Sequence, residues 1–297
     1  MDPLLIVAGL GVGILVGMTG MGGGSLMTPI LILLFGTAPT TAIGSDIAYA
    51  AVTKTVGGWR HFRLRTVNLP LSLWLAVGSV PAALTGVWVI SLLHHAYGKS
   101  LDDIVLTMLA VALVAVGLLV LVRSLFPQVA RGERESFVLT RADKLAAVAI
   151  GASTGFVIGI TSAGSGTVIA VFLIALYRLG PRQVVGTDVF HAAILLWAAG
   201  LAHVVGGNVD FGLVGTILIG SIPGIWIGSH LTVRLPTGLL RNALGLVMVL
   251  SALALFKKAG IELPLALVIA VPVAFVAALA ARAMVRRART VDAASTT

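Results

Sequence analysis

Two stretches combine glycine with small hydroxyl residues densely enough to do chemistry through the backbone. They are Gly17-Met18-Thr19-Gly20-Met21-Gly22-Gly23-Gly24-Ser25 and Gly159-Ile160-Thr161-Ser162-Ala163-Gly164-Ser165-Gly166-Thr167. Each lies inside a long apolar run, where a helix crossing a membrane should continue unbroken. Glycine leaves little side chain to pack and admits unusual dihedrals. Irregular backbone at membrane depth survives only where protein covers it or it lines a polar cavity. A helix restarting after such a break, near Ser25 or near Thr167, points free N–H groups and the positive end of its dipole into the membrane centre. The candidate substrate-binding residues are therefore Thr19, Gly22, Gly23, Gly24 and Ser25 with Thr161, Gly164, Ser165, Gly166 and Thr167, and Ser162 is a further donor. Donors without fixed cations suit a small oxyanion that must bind and then leave. The competing use of such glycines is close helix packing, and Gly9, Gly13, Gly17, Gly20 and Gly24 fit small-xxx-small spacing.

Four ionisable residues fall inside or beside the apolar runs and are candidates for coupling or gating: Asp46, Lys54, Asp188 and His191. Ionisable groups within a membrane are costly and usually functional. Asp46 and Asp188 lie near the starts of their segments, after Gly44-Ser45 and Gly186-Thr187, so helix capping competes with proton or cation binding. Lys54 follows Asp46 by eight residues, about two helical turns, which lets both face one cavity. No spacing resembles a metal site, and no Ser-His-Asp pattern or paired carboxylates suggest an enzyme. No cofactor is expected, and the glycine stretches lack the strand and Lys-Ser/Thr ending of a phosphate loop.

The elements that must carry these residues follow from composition. Of 297 residues 58% are hydrophobic and 10% charged, where a soluble domain carries about 25% charged residues. Mean hydropathy is +1.08. The fold class is therefore an all-α polytopic membrane protein, since the short alternating segments of a membrane β-barrel are absent. With no cysteine, thiol chemistry and disulfides are excluded. The N-terminus lacks the positive flank of a signal peptide, so no cleavage is expected. The net charge of +9 sits mostly in short loops, which points to topology and anionic lipids rather than nucleic acid.

Apolar segments run over 4–35, 41–59, 67–92, 103–122, 143–177, 183–202, 211–233, 239–256 and 263–285. A constant shift of 142 residues relates the two halves without a gap. Gly17, Thr19, Gly22 and Gly24 map onto Gly159, Thr161, Gly164 and Gly166, Pro39 onto Pro181, and Asp46 onto Asp188. Downstream, His61 maps onto His203, and Gly78, Ser79, Pro81 and Gly86 onto Gly220, Ser221, Pro223 and Gly228. The division is a first repeat over 1–122, a cytoplasmic linker over 123–144, a second repeat over 145–258, and an additional span with a basic tail over 259–297. If all nine segments cross, Lys and Arg divide ten against nine between the two faces. If each glycine-broken segment enters and returns, they divide sixteen against three. The cytoplasmic excess of basic residues selects the second arrangement. Each repeat is then a re-entrant hairpin plus three spans, and an odd number of spans makes the repeats inverted. The N-terminus is outside and the C-terminus cytoplasmic, in a multi-pass cell-membrane protein.

The sequence resembles the sulfite exporter (TauE/SafE) family of membrane permeases. The resemblance rests on Gly17–Ser25 followed by Pro29, the echo at 159–167, Gly206-Gly207-Asn208-Val209-Asp210-Phe211, and Gly220-Ser221-Ile222-Pro223-Gly224 with Gly228, over roughly residues 5–256. The loop Arg65-Thr66-Val67-Asn68 diverges from its counterpart Gly207-Asn208-Val209-Asp210, and Lys54 has no tie to the family's pattern. The resemblance implies a secondary transporter of a small sulfur-containing oxyanion, sulfite or a short organosulfonate, with export the expected direction. The anion would bind at converging half-helix N-termini near the membrane midplane. Two other readings compete: a cation or metal permease using Asp46 and Asp188, and a non-transporting membrane scaffold.

Overall fold

The computed structural model describes residues 2–19, 24–97, 101–125, 139–164, 166, 168–231 and 237–262. Most of the linker and the last apolar segment, 263–285, lie outside these residues. The described residues form helices and no strand: α1 (Pro3–Thr19), α2 (Gly24–Leu33), α3 (Pro39–Arg63), α4 (Leu69–Tyr97), α5 (Leu101–Leu125), α6 (Arg141–Thr161), α7 (Val168–Ala175), α8 (Pro181–Val205), α9 (Phe211–Leu231) and α10 (Thr237–Lys258). The shift seen in the sequence governs the helix ends. Both α3 and α8 open on proline and run 25 residues, with the ring supplying a preset φ where no N–H is needed. Both α1 and α6 stop at a threonine in register, Thr19 and Thr161.

Glycine decides which helices pair. A Cβ built on Gly9 would meet the backbone of Ile217, on Gly13 that of Ser221, and on Gly17 that of Ile225. On the other half, Gly151 meets Leu75, Gly155 meets Ser79, and Gly159 meets Ala83. α1 thus lies backbone to backbone along α9, and α6 along α4, each pair parallel. For Gly9, Gly13 and Gly17 close packing is the role the structure shows. α3 and α8 cross antiparallel, with Gly58 against Phe190 and Gly200 against Ala48. Trp197 Nε1–H donates to Thr55 Oγ1 at 2.7 Å, between residues 142 apart in sequence. α5 and α10 also run antiparallel, with Gly117 against Val249 and Gly245 against Leu121. Each of these four pairs takes one helix from each half.

The same contacts fix direction. Asp210 N–H donates to Ser45 Oγ at 2.9 Å and Tyr49 lies against Ser221, so α3 runs parallel to α9 and hence to α1. Asn68 N–H donates to Thr187 Oγ1 at 2.9 Å and Ser79 Oγ meets His191 Nε2 at 2.8 Å, so α8 runs parallel to α4 and hence to α6. Since α1 and α3 point the same way, α2 carries the chain back to the level where it began. α7 does the same between α6 and α8. Length and apolarity alone single out α4, α5, α6, α8 and α9 as able to cross a membrane. α3 fails that test because it carries Asp46, Lys54, Arg60 and Arg63, although it is as long as α8.

The divergent loop after α3 turns out to do the same work as its counterpart. Arg65 takes φ 54° where Gly207 takes φ 71°. Asn68 Oδ1 accepts from Leu71 N–H at 3.2 Å and Asp210 Oδ1 from Leu213 N–H at 3.0 Å, so each caps the helix that follows. Elsewhere Lys258 Nζ donates to Ile32 O at 2.7 Å, tying the end of α10 to the end of α2. Arg60, Arg63, Arg65, Arg141, Lys144, Arg178 and Arg182 lie at one end of the bundle, and Lys257 and Lys258 at the other. The exposed tryptophans Trp59, Trp88, Trp197 and Trp226 are placed to meet lipid.

Candidate functional site

The two helix breaks meet. α6 ends on Ser162, whose φ of 60° terminates the helix in the left-handed region. Gly164 and Gly166 follow with φ of 97° and 99°, a path open to glycine and strained for other residues. The Gly164 N–H donates to Ser25 Oγ at 3.2 Å across 139 residues of sequence. A Cβ on Gly24 would sit 2.5 Å from Ser162 O and 2.6 Å from Ser162 Oγ, so the start of α2 touches the end of α6 only because residue 24 is glycine.

Asp46 closes this junction. Its Oδ2 accepts from Thr28 Oγ1 at 2.5 Å and from Ser162 Oγ at 2.5 Å, joining α2, α3 and the α6–α7 turn through one oxygen. Its Oδ1 is buried with no hydrogen-bond partner. The residue is 0% exposed. A capping role is excluded by position: α3 begins at Pro39, its N-cap is Ala38, and Asp46 lies two turns inside. Asp188 is equally far inside α8.

Asp188 and Lys54 face each other electrostatically, and both are buried. Lys54 lies two turns from Asp46 on α3, and the charge that acts on it is that of Asp188 on α8. Asp46 lies about 10 Å along α3 from its start, and Lys54 about 14 Å from its end. On antiparallel α8, the Gly58–Phe190 and Gly200–Ala48 contacts put Asp188 level with Arg60, about 9 Å along the pair from Lys54. Asp46 is also about 7 Å from the middle of α3.

His191 is fully buried and bonded to Ser79. Its equivalent by the two-fold is Tyr49, which lies against Ser221, the equivalent of Ser79. The His191–Ser79 bond holds α8 to α4, and Tyr49 beside Ser221 sets α3 next to α9. Thr19 and Thr161 are buried, and each hydroxyl donates back along its own helix, to Leu15 O and Val157 O, both at 2.7 Å. Ala163 N–H in turn donates to Thr161 Oγ1 at 3.2 Å. Gly22, Gly23, Ser165 and Thr167 lie outside the described residues. Among the sequence-chosen residues, then, Gly24, Ser25, Ser162, Gly164 and Asp46 come together, while Lys54 lies two turns further along α3 and Asp188 and His191 lie on α8. Thr28 was missed. Its counterpart is Ala170, so the repeat gave no signal there, and only its place one turn beyond Ser25 in an apolar helix could have marked it. An open cleft of about 360 Å³ lined by Trp59, Phe62, Arg63, Arg65 and Val67 lies at the far end of α3, away from the junction.

Residues 5–255 match the family described as Sulfite exporter TauE/SafE. The chain belongs to that family. It is 36% identical over 255 residues to the probable membrane transporter protein YjnA of Bacillus subtilis, covering 86% of this chain and 100% of the relative. The probable membrane transporter protein YdhB of the same organism is 28% identical, over 85% of this chain and 99% of its own length. A probable membrane transporter of Methanocaldococcus jannaschii is 28% identical over 58% of this chain and 61% of its length. No solved structure matches. Family, relatives and apolar helices together make this a multi-pass membrane transporter.

Proposed function

We propose that the protein carries a small sulfur oxyanion, sulfite or a short organosulfonate, outward across the cell membrane. The observation that carries this reading is the meeting of the two broken helices at Gly24, Ser25, Ser162 and Gly164, bonded across the halves. α2 starts there with its N–H groups unpaired within the helix, a natural seat for an oxyanion. The family's description supplies the sulfur chemistry. Gly22, Gly23, Ser165, Gly166 and Thr167 complete the proposed lining, with Thr19 and Thr161 holding the ends of the two incoming helices. Anionic lipid around the basic end of the bundle is part of the same proposal.

The halves are inverted in the membrane on this reading. Equivalent helices α3 and α8 run antiparallel, as do α5 and α10, and such a pair is related by an axis lying in the membrane plane. The end carrying Arg60, Arg63, Arg65, Arg141 and Lys144 is cytoplasmic by the positive-inside rule. That puts the start of α1 outside and, with one further span over 263–285, the C-terminus inside. Purified protein in liposomes should move labelled sulfite or sulfonate. Absence of flux for every sulfur anion tried overturns the assignment.

A further inference from the structure

The two-fold makes Asp46 and Asp188 equivalents, and two substitutions break the equivalence. Lys54 corresponds to Leu196, and Thr28 to Ala170. Asp188 therefore has a buried ammonium acting on it, and Asp46 has none. What Asp46 has is two hydroxyl donors on Oδ2 and nothing on Oδ1. Around it α2 offers Thr28, the α6–α7 turn offers Ser162, and α9 offers Ser221 by way of Tyr49. Tyr49, on its own helix, is the titratable group that feels its charge among the described residues.

An anion held by Gly24, Ser25 and Gly164 would lie beside this carboxylate, since even a Cβ on Gly24 would be 3.2 Å from Asp46 Oδ2. Two negative charges that close in a medium of low dielectric repel strongly. Like charges sharing a site cannot both stay ionised. The anion and the ionised form of Asp46 are thus mutually exclusive, and anion and proton bind as linked ligands. Resting on the anion reading above, we propose that Asp46 takes up one proton with each anion, so that a monovalent anion crosses with its charge balanced. The proton comes from the aqueous side, adds to Oδ1 and turns the carboxylate into a neutral acid. The new O–H gives the orphaned oxygen a use, as donor to the anion, in the way a carboxylic acid kept neutral by its site donates to an oxyanion. Proton and anion are released together on the far side, and Asp46 is again a carboxylate.

The test uses labelled methanesulfonate, a strong-acid anion that does not itself titrate near neutrality, in proteoliposomes of the full chain. In wild type a pH gradient should drive accumulation at least tenfold above equilibration, and a potassium–valinomycin potential should drive none. Asp46→Asn mimics the neutral acid. It should lose the response to the pH gradient, and the anion movement that remains, whatever its rate, should respond to the potential instead. Thr28→Val removes one donor to the ionised form and should move the pH midpoint of exchange up by about one unit, which keeps the test available if Asp46→Asn does not fold. Potential-driven uptake in wild type, or an unchanged pH midpoint in Thr28→Val, overturns the proton coupling and leaves the anion reading standing. No flux of methanesulfonate or sulfite in wild type overturns both.

Discussion

Gly24→Ala puts the smallest side chain where the two breaks meet. The added Cβ would be 2.5 Å from Ser162 O, and ordinary contact begins at 3.4 Å, so the α6–α7 turn must recede by about 0.9 Å. The opposing atom is backbone, and no rotamer change relieves it. Ser162 Oγ now lies 2.5 Å from Asp46 Oδ2. A displacement of that size takes it to the edge of hydrogen-bonding range. Overpacking of this kind costs about 1–3 kcal/mol, and a hydrogen bond to a charged group is worth about 1.5–3 kcal/mol. Both costs come from one movement and do not add. Alanine's better helix propensity returns up to about 1 kcal/mol. A net loss of about 1–2 kcal/mol should lower Tm in detergent by about 3–6 °C, and transport should fall at least tenfold because the junction opens. Gly11→Ala is the control, since nothing lies within 4 Å of its Cβ. Thermal melts followed by size-exclusion chromatography, with anion flux in liposomes, measure both quantities. If Gly24→Ala matches wild type in Tm and flux, the junction is not a tight site and the reasoning fails.

Gly13→Ala should lose about 1–3 kcal/mol where Gly11→Ala, two residues away, is neutral or gains up to about 1 kcal/mol. Equal melting temperatures for the pair would mean that α1 does not lie on α9. Lys54→Met strands a buried carboxylate and should cost about 3 kcal/mol. Adding Asp188→Asn should recover most of that loss, and a double variant no more stable than the single would show that the two residues do not act on each other. The chain has no cysteine, so Ala38→Cys and Gly180→Cys can be labelled one at a time with an impermeant maleimide. These positions begin α3 and α8, at opposite ends of the bundle, and labelling of both from the same side of the membrane would refute the inverted arrangement.

The helices and their breaks were legible because glycine and proline recur at a fixed shift: Pro39 with Pro181, Gly17 with Gly159, Gly78 with Gly220. Close-packed backbone tolerates no Cβ at the glycine positions, and the prolines open helices in both halves, so both halves carry the same residue type there. The meeting of Ser25 with Gly164 was legible for the same reason, as two equivalent breaks entering one bundle. What stayed hidden was whatever the repeat does not repeat. Arg65 against Gly207 looked like divergence, yet both positions take a left-handed φ, because a turn conformation can be held by strain in one copy and by glycine in the other. Thr28 against Ala170 and Lys54 against Leu196 carried no positional signal at all. Lys54 also shows what spacing along one helix leaves out. Two turns separate it from Asp46 on α3, but its partner comes from α8, which runs the other way, and direction is a property of the assembled pair.

Interlocking also decides where stability resides. The glycine face of α1 is covered by α9, and that of α6 by α4, so each half leaves its closest-packing surface open until the other arrives. A single half would expose Gly9, Gly13 and Gly17 to lipid, where bare backbone gains nothing from neighbours that cannot approach as closely as another helix. The four main helix pairs each draw on both halves, and the hydrogen bonds Asn68–Thr187 and Asp210–Ser45 stitch the same seam from opposite ends. The two halves of the chain are therefore not modules side by side. They make one bundle in which each half completes the other, and within it Thr28 and Lys54 give Asp46 and Asp188 different surroundings.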